Sequence, residues 1–335
     1  MGRSTPARAA EAVALGAGIA ALGAAAVASS RGRRIRARRR PELDRLALPP
    51  DTVRHHHLTT ADGGSLHVVE HGTGRPVVLL HGVTLQWWVW SALFHTLGDR
   101  YRVVAWDMRG HGGSTAGTEG VTLPAVADDL ALLLERLDLH EAVVVGHSMG
   151  GMALAEFCRL HHRMFGNRCS ALMFLATSAA PVALPALVGG GAGLVNVVQR
   201  VATAGMRSPR LRYGWPDTPA TALVVRAAFG RAPSGEAVEA VRRMLSEVEP
   251  RTAAEAGRAI AEHDVRDDLG HVDLPSMVVV GDADLLTPIA HARGVAECVP
   301  GSDLRVLPGV GHQVMQEAPA ELTALIDELA ERTAR

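Results

Sequence analysis

Ser148 lies within Val143-Val144-Val145-Gly146-His147-Ser148-Met149-Gly150-Gly151. A β-branched run there breaks into glycine-flanked residues and resumes as a helix-forming segment from Met152 to Leu160. The pattern reads as strand, sharp turn and helix with a serine at the apex. Such a turn holds the hydroxyl off the sheet and strains its backbone. Gly146 and Gly150 flank it because a Cβ at either position would strike a neighbouring strand or helix. A serine hydroxyl is a poor nucleophile at neutral pH. It needs an imidazole to take its proton, and a carboxylate to fix that imidazole's tautomer and stabilise the imidazolium. Both occur downstream, each after a strand-like run. Ser276–Gly281 leads into Asp282-Ala283-Asp284-Leu285-Leu286-Thr287-Pro288, and Leu304–Leu307 leads into Pro308-Gly309-Val310-Gly311-His312. Asp282 and Asp284 compete for the acid.

These residues need a scaffold that brings distant loops together. A strand pair is expected at 53–60 and 65–70, joined by the Asp62-Gly63-Gly64 turn. Alternation follows: strand 77–80, helix 88–97, strand 102–106, helix 123–137, the nucleophile strand, and strand 171–175 ending at Ala176-Thr177-Ser178. This predicts an α/β fold, a mostly parallel sheet with helices on both faces. Regular alternation stops after Ser178. Pro181 to about Glu262 reads as helical, and Leu184–Leu194 is its most apolar, glycine-rich part.

Four further segments accompany the serine, acid and histidine. They are Pro76-Val77-Val78-Leu79-Leu80-His81-Gly82, Trp90, Asp107-Met108-Arg109-Gly110-His111-Gly112-Gly113-Ser114, and Asp264–Leu269 before Val272-Asp273-Leu274-Pro275. Together they resemble the α/β-hydrolase family, its lipase, esterase and peroxidase-like branch, from about Asp51 to the C-terminus. The resemblance implies a hydrolase domain over 51–335, with a helical lid inserted at approximately 179–265. It implies Ser148 as nucleophile, His312 as base and then acid, and Asp284 rather than Asp282 as the orienting carboxylate. The oxyanion hole would come from the backbone N–H groups of Val83 and Met149. His81 and His147 would support the site, while Asp107, Arg109 and His111 look structural. Trp87, Trp88 and Trp90 are expected to pack the first helix, with Trp87 also a candidate for the acyl pocket. The expected reaction is hydrolysis of a small-molecule acyl ester, lipid acyl esters included, through an acyl-enzyme, without cofactor or metal. Thioesterases, carbon–carbon hydrolases and cofactor-free haloperoxidases share this apparatus, and so remain alternatives. A non-enzymatic ligand receptor is a more distant one. Epoxide hydrolases and haloalkane dehalogenases carry aspartate at the elbow, where this chain has Ser148.

Composition narrows the partners. The 47% hydrophobic content supports a large core, filled by Leu, Val and Ala because Phe and Tyr are scarce. Residues 1–45 carry ten arginines against three acids, and the remainder 24 arginines against 32 acids. The body is therefore mildly acidic and carries no basic stripe for nucleic acid. Cys158, Cys169 and Cys298 are odd in number and lack metal spacing, and read as buried thiols. His55-His56-His57 suggests metal only superficially, since neighbours on a strand point to opposite faces.

Residues 1–50 form a separate N-terminal region. Ala12–Ser30 is uncharged, and as a helix would span about 28 Å. It is rich in Ala and Gly, so its insertion into a bilayer would be marginal. Seven arginines lie between Arg31 and Arg40, on the side that would remain cytoplasmic. The expectation is membrane contact through residues 12–40 with the catalytic body in the cytoplasm. The alternatives are a signal peptide cleaved after Ala26-Val27-Ala28, or an Ala-rich tail of a soluble protein.

Overall fold

A computed structural model describes residues 30–182 and 219–333 of the chain. Its strands are β1 (Arg54–Thr59), β2 (Ser65–His71), β3 (Arg75–Leu80), β4 (Tyr101–Trp106), β5 (Ala142–His147), β6 (Cys169–Leu175), β7 (Ser276–Gly281) and β8 (Asp303–Leu307). They form one sheet in the order β1-β2-β4-β3-β5-β6-β7-β8. β2 runs antiparallel to β1 and β4, and the remaining pairings are parallel.

Continuous apolar runs become central strands because both faces are covered. In β5, Val144 enters one core while Val143 and Val145 enter the other. β3 divides likewise, with Val78 and Leu80 against Val77 and Leu79. Helices Leu123–Arg136, Met149–His161 and Ile289–Cys298 cover the first face. Helices Ser91–Leu97, Gly235–Glu247 and Pro319–Glu331 cover the second. The chain passes from β3 to β4 on one side, then returns to β5 on the other. This reversal opens a crevice at the carboxyl ends of β3 and β5.

Two boundaries differ from expectation. The segment predicted as helix from 88 starts with a 3-10 turn, Trp87–Trp90, and becomes α-helical at Ser91. The helix after β5 begins at Met149 rather than Met152, because Ser148 completes the turn by itself.

Between β6 and β7 the described chain includes helices Pro219–Val225, Gly235–Glu247 and Pro250–Glu262. The apolar stretch Leu184–Leu194 lies outside the described residues, as does Ala12–Ser30 apart from Ser30 itself. Among the described residues no helix is long and apolar enough to cross a membrane. The arginine run is not wholly available to a lipid surface. Arg36 pairs with Glu239 at 2.8 Å, Arg39 pairs with Glu236, and Arg40 Nη1 donates to Ala232 O at 2.9 Å. The Gly235 amide donates to Arg38 O at 2.7 Å, so this arm is docked on the insertion.

Candidate active site

The crevice gathers four loops, each leaving the carboxyl end of a parallel strand. Ser148 leaves β5 with φ 53° and ψ −119°, a conformation that a non-glycine residue adopts only when its surroundings impose it. Its amide donates to Leu175 O at 2.9 Å, and its carbonyl accepts from Thr177 Oγ1 at 2.7 Å. A Cβ on Gly146 would lie 2.5 Å from Gly150 O. One on Gly150 would lie 2.5 Å from the carbonyl oxygens of Leu80 and His81. The helix can therefore approach β5 and β3 only with glycine at both positions, as the sequence implies.

The loop after β3 is held by two imidazoles. His81 donates from Nδ1 to Gly82 O at 2.7 Å and accepts the Met108 amide at Nε2, 2.9 Å away. Burial, helped by nearby His111, pushes its pKa down to about 3, so the ring is neutral and divides these roles between its nitrogens. His111 Nε2 accepts the Thr84 amide at 3.2 Å, while its Nδ1 donates to Arg109 O at 3.1 Å. Arg109 in turn grips Asp129 with two bonds of 2.8 and 2.7 Å. Asp107 accepts the Trp87 and Gly113 amides at 2.8 and 2.9 Å. These residues form the scaffold expected of them. The amides of Val83 and Met149 have no acceptor among the described residues. Met149 opens its helix, so its N–H points outward.

The loop after β7 turns Asp284 inward. Its Oδ1 accepts the amides of Leu286 and Thr287 at 2.8 and 2.9 Å. Its Oδ2 accepts from Thr287 Oγ1 and from His312 Nδ1, each at 2.9 Å. Burial opposes ionisation here, but His312 and the Thr287 donors outweigh it and hold the carboxyl below the ordinary range. Asp282 faces away: its Oδ1 accepts the Gly309 amide at 2.6 Å, and Arg231 stands 3.7 Å from its Oδ2.

His312 follows β8. The hydroxyl of Ser148 has no hydrogen-bond partner among the described residues, and both side chains line one cavity of about 180 Å³. Val83, Leu85, Met152, Val182, Val225 and Ile260 give its walls their aliphatic character. A larger hollow of about 430 Å³ lies between Thr118–Pro124 and the helix carrying Arg251 and Glu255, and among the described residues no serine or cysteine lines it.

His147 packs beside Ser148 in the same cavity, as expected of it. Its Nε2 donates to His312 O at 2.9 Å, and its ring lies 4.7 Å from the His312 ring. Burial and the neighbouring His312 hold its pKa well below normal, so it is a neutral support. Trp90 is fully buried and meets the His147 ring edge-on at 6.3 Å. Trp87, a candidate for the acyl pocket, does not line the cavity. Its amide is bound to Asp107, and its indole packs against His55, His67 and Phe94. Sequence reading also missed His67, which receives His55 across the β1–β2 pair at 2.9 Å and bonds Asp107 at 2.8 Å. The register His57↔His67 was available in principle from the tight turn joining the two strands. His56 turns the other way, to Glu70 at 3.0 Å. Among the described residues no group of His, Cys, Asp and Glu is arranged to hold a metal. Cys158 and Cys169 are buried, while Cys298 is only partly so.

Residues 75–319 match the family model for the α/β hydrolase fold. The chain belongs to the α/β-hydrolase family. A non-heme chloroperoxidase of Kitasatospora aureofaciens is 31% identical over 258 residues, covering 76% of this chain and 91% of that protein. A 2-(acetamidomethylene)succinate hydrolase of Mesorhizobium japonicum is 29% identical over 263 residues, covering 76% and 87%. Among solved structures, a thermophilic esterase from Thermogutta terrifontis aligns with a TM-score of 0.64 at 28% identity, covering 84% of this chain and 99% of that one. An esterase from Exiguobacterium antarcticum aligns with a TM-score of 0.69 at 20% identity, covering 83% and 100%, a likeness of fold. This α/β hydrolase thus resembles both esterases and haloperoxidases.

Proposed function

We propose that this α/β hydrolase cleaves small carboxylic esters through an acyl-enzyme. The observation that carries the reading is the 2.9 Å bond from His312 Nδ1 to a buried, ionised Asp284, with His312 and Ser148 lining one cavity. His312 Nε2 takes the Ser148 proton as Oγ attacks the ester carbonyl, and the alkoxide leaves with that proton. Water then attacks the acyl carbon as His312 takes its proton, the bond from Ser148 Oγ to the acyl carbon breaks, His312 returns the proton to Oγ, and the acid departs. Val83 and Met149 amides hold the oxyanion at both steps. Helices of the insertion act as a lid over the aliphatic cavity that would receive the acyl group.

The likeness to a chloroperoxidase supports a second reading of the same intermediate. Hydrogen peroxide in place of water would convert the acyl-enzyme to a peroxy acid, an oxidant of halide. A panel of p-nitrophenyl esters, thioesters and vinylogous diketones, with and without peroxide and bromide, separates the readings. The expected result is turnover of acetate and butyrate esters above the rest. Cleavage of only the diketones, or halogenation without ester turnover, would replace the ester reading.

Location is a second proposal, resting on Ala12–Ser30 and the arginines that follow. Full-length protein is expected in the membrane pellet at low salt, and protein lacking residues 1–29 in the supernatant with activity intact. This cut spares the contacts of Arg36, Arg39 and Arg40 with the insertion. A full-length chain that stays in the supernatant, or a mature N-terminus at Ser29 in the medium, would discard the anchor.

A further inference from the structure

Glu317 ends the short helix Val314–Glu317 just beyond His312. Its Oε1 accepts the amide of Gly311 at 3.0 Å and its Oε2 that of Gly230 at 2.7 Å. Gly311 precedes the catalytic-site histidine. Gly230 belongs to the insertion, close behind Val225 and Ala228 of the cavity wall. One carboxylate therefore bridges the loop that carries His312 and the segment that shapes the pocket. Around it the two segments are already stitched together. The His312 amide donates to Ala228 O, and the Arg231 amide to Gly309 O, both at 2.9 Å. They meet too closely for side chains: a Cβ on Gly230 would lie 2.2 Å from Gly309 O, and one on Gly311 2.2 Å from Gly230 N.

We propose that Glu317 is a positioning residue that locks the His312 loop to Ala228–Arg231, so that base and cavity wall stay in place, or give way, together. Its importance for catalysis rests on the ester-hydrolase reading above; the lock itself does not.

A carboxyl offers an acceptor oxygen to each amide whether ionised or neutral, because its hydroxyl oxygen keeps a lone pair, and an amide side chain offers only one. Glutamine would keep one acceptor and turn an NH₂ donor toward the other amide. Burial raises the Glu317 carboxyl to about 7, against the pull of the Gly230 and Gly311 amides and of Arg226. Opening that hydrates it would restore the ordinary, lower value. Opening is therefore favoured as pH rises from that ordinary value through about 7. The other charged or titratable groups near the lock are Arg226 on its turn, with Arg38 beyond it, Arg231 with Asp282 beside Gly309, and His312 with Asp284.

Hydrogen exchange on the full chain reads the lock without an assay of catalysis. In Glu317→Gln, segments 226–231 and 309–313 are expected to lose protection together, by about tenfold to a hundredfold, while β5 is unchanged. The kcat for p-nitrophenyl acetate should fall by about tenfold or more, with fluorophosphonate labelling of Ser148 retained. In the wild type, protection of both segments, corrected for intrinsic exchange, should decline as pH rises through about 7, a step absent from Glu317→Gln. Loosening of one segment alone, or a pH step that survives in Glu317→Gln, would overturn the proposal. If Glu317→Gln does not fold, Glu317→Asp, one methylene too short to reach both amides, decides: both segments must lose protection together. A wild type that shows the step in exchange but no ester turnover would sink the reading of function and leave the lock standing.

Discussion

Ser148→Ala is expected to lose about 10⁴-fold or more of its ester turnover, because nucleophile, base and acid act as a unit. What survives would come from binding and the oxyanion amides. The fold should persist, since the elbow is held through the backbone of Ser148, by Leu175, Thr177 and Gly151, and not through its hydroxyl. Alanine at φ 53° meets the same strain as serine, so stability should change by less than about 1 kcal/mol. A fluorophosphonate should label the wild type at Ser148 and leave the variant unlabelled. Full activity in the variant, or labelling at another residue, would reassign the nucleophile.

Much of this arrangement is legible before any coordinates. β5 announces itself because a strand buried on both faces must be apolar throughout, and Gly146 and Gly150 announce the approach of a helix that a Cβ would block. Asp282 and Asp284 are harder. They sit two residues apart in one loop, and nothing local says which turns inward. The resemblance to the hydrolase family favoured Asp284. The geometry separates the two by their backbone partners, Leu286 and Thr287 for one and Gly309 for the other. Long-range side-chain contacts were out of reach. Period-2 and period-3.6 patterns tell which face is buried, not what will lie upon it. That is why the sequence leaves Trp87 open to the acyl pocket as well as to the first helix, where it packs on Phe94. It is also why the run from Arg31 to Arg40 gives no sign of the contacts that Arg36 and Arg39 make with the insertion, and why nothing in the sequence tells what Glu317 bridges.

The Asp284→Asn variant tests the acid most severely, and its hydrogen bonds dictate the outcome. Two backbone amides donate to Oδ1, so the carbonyl oxygen of an asparagine must take that place. The NH₂ is then forced into the position of Oδ2, facing His312 Nδ1 and Thr287 Oγ1. A donor there requires Nδ1 to accept, which moves the imidazole proton to Nε2. The ring can no longer take a proton from Ser148. The expected loss in kcat is about 10⁴-fold with the fold retained. Asp282→Asn keeps its acceptor for the Gly309 amide and loses only the partly exposed attraction of Arg231 at 3.7 Å, so kcat should fall by less than about fivefold. The acid limb of stability offers an independent reading. Asp284 is held below the ordinary carboxylate range. Its ionised form therefore adds stability above the unfolded value, and that contribution is lost as pH falls through the folded one. Asp284→Asn should flatten that limb in urea titrations. The opposite ranking of the two variants in kcat would move the acid to Asp282.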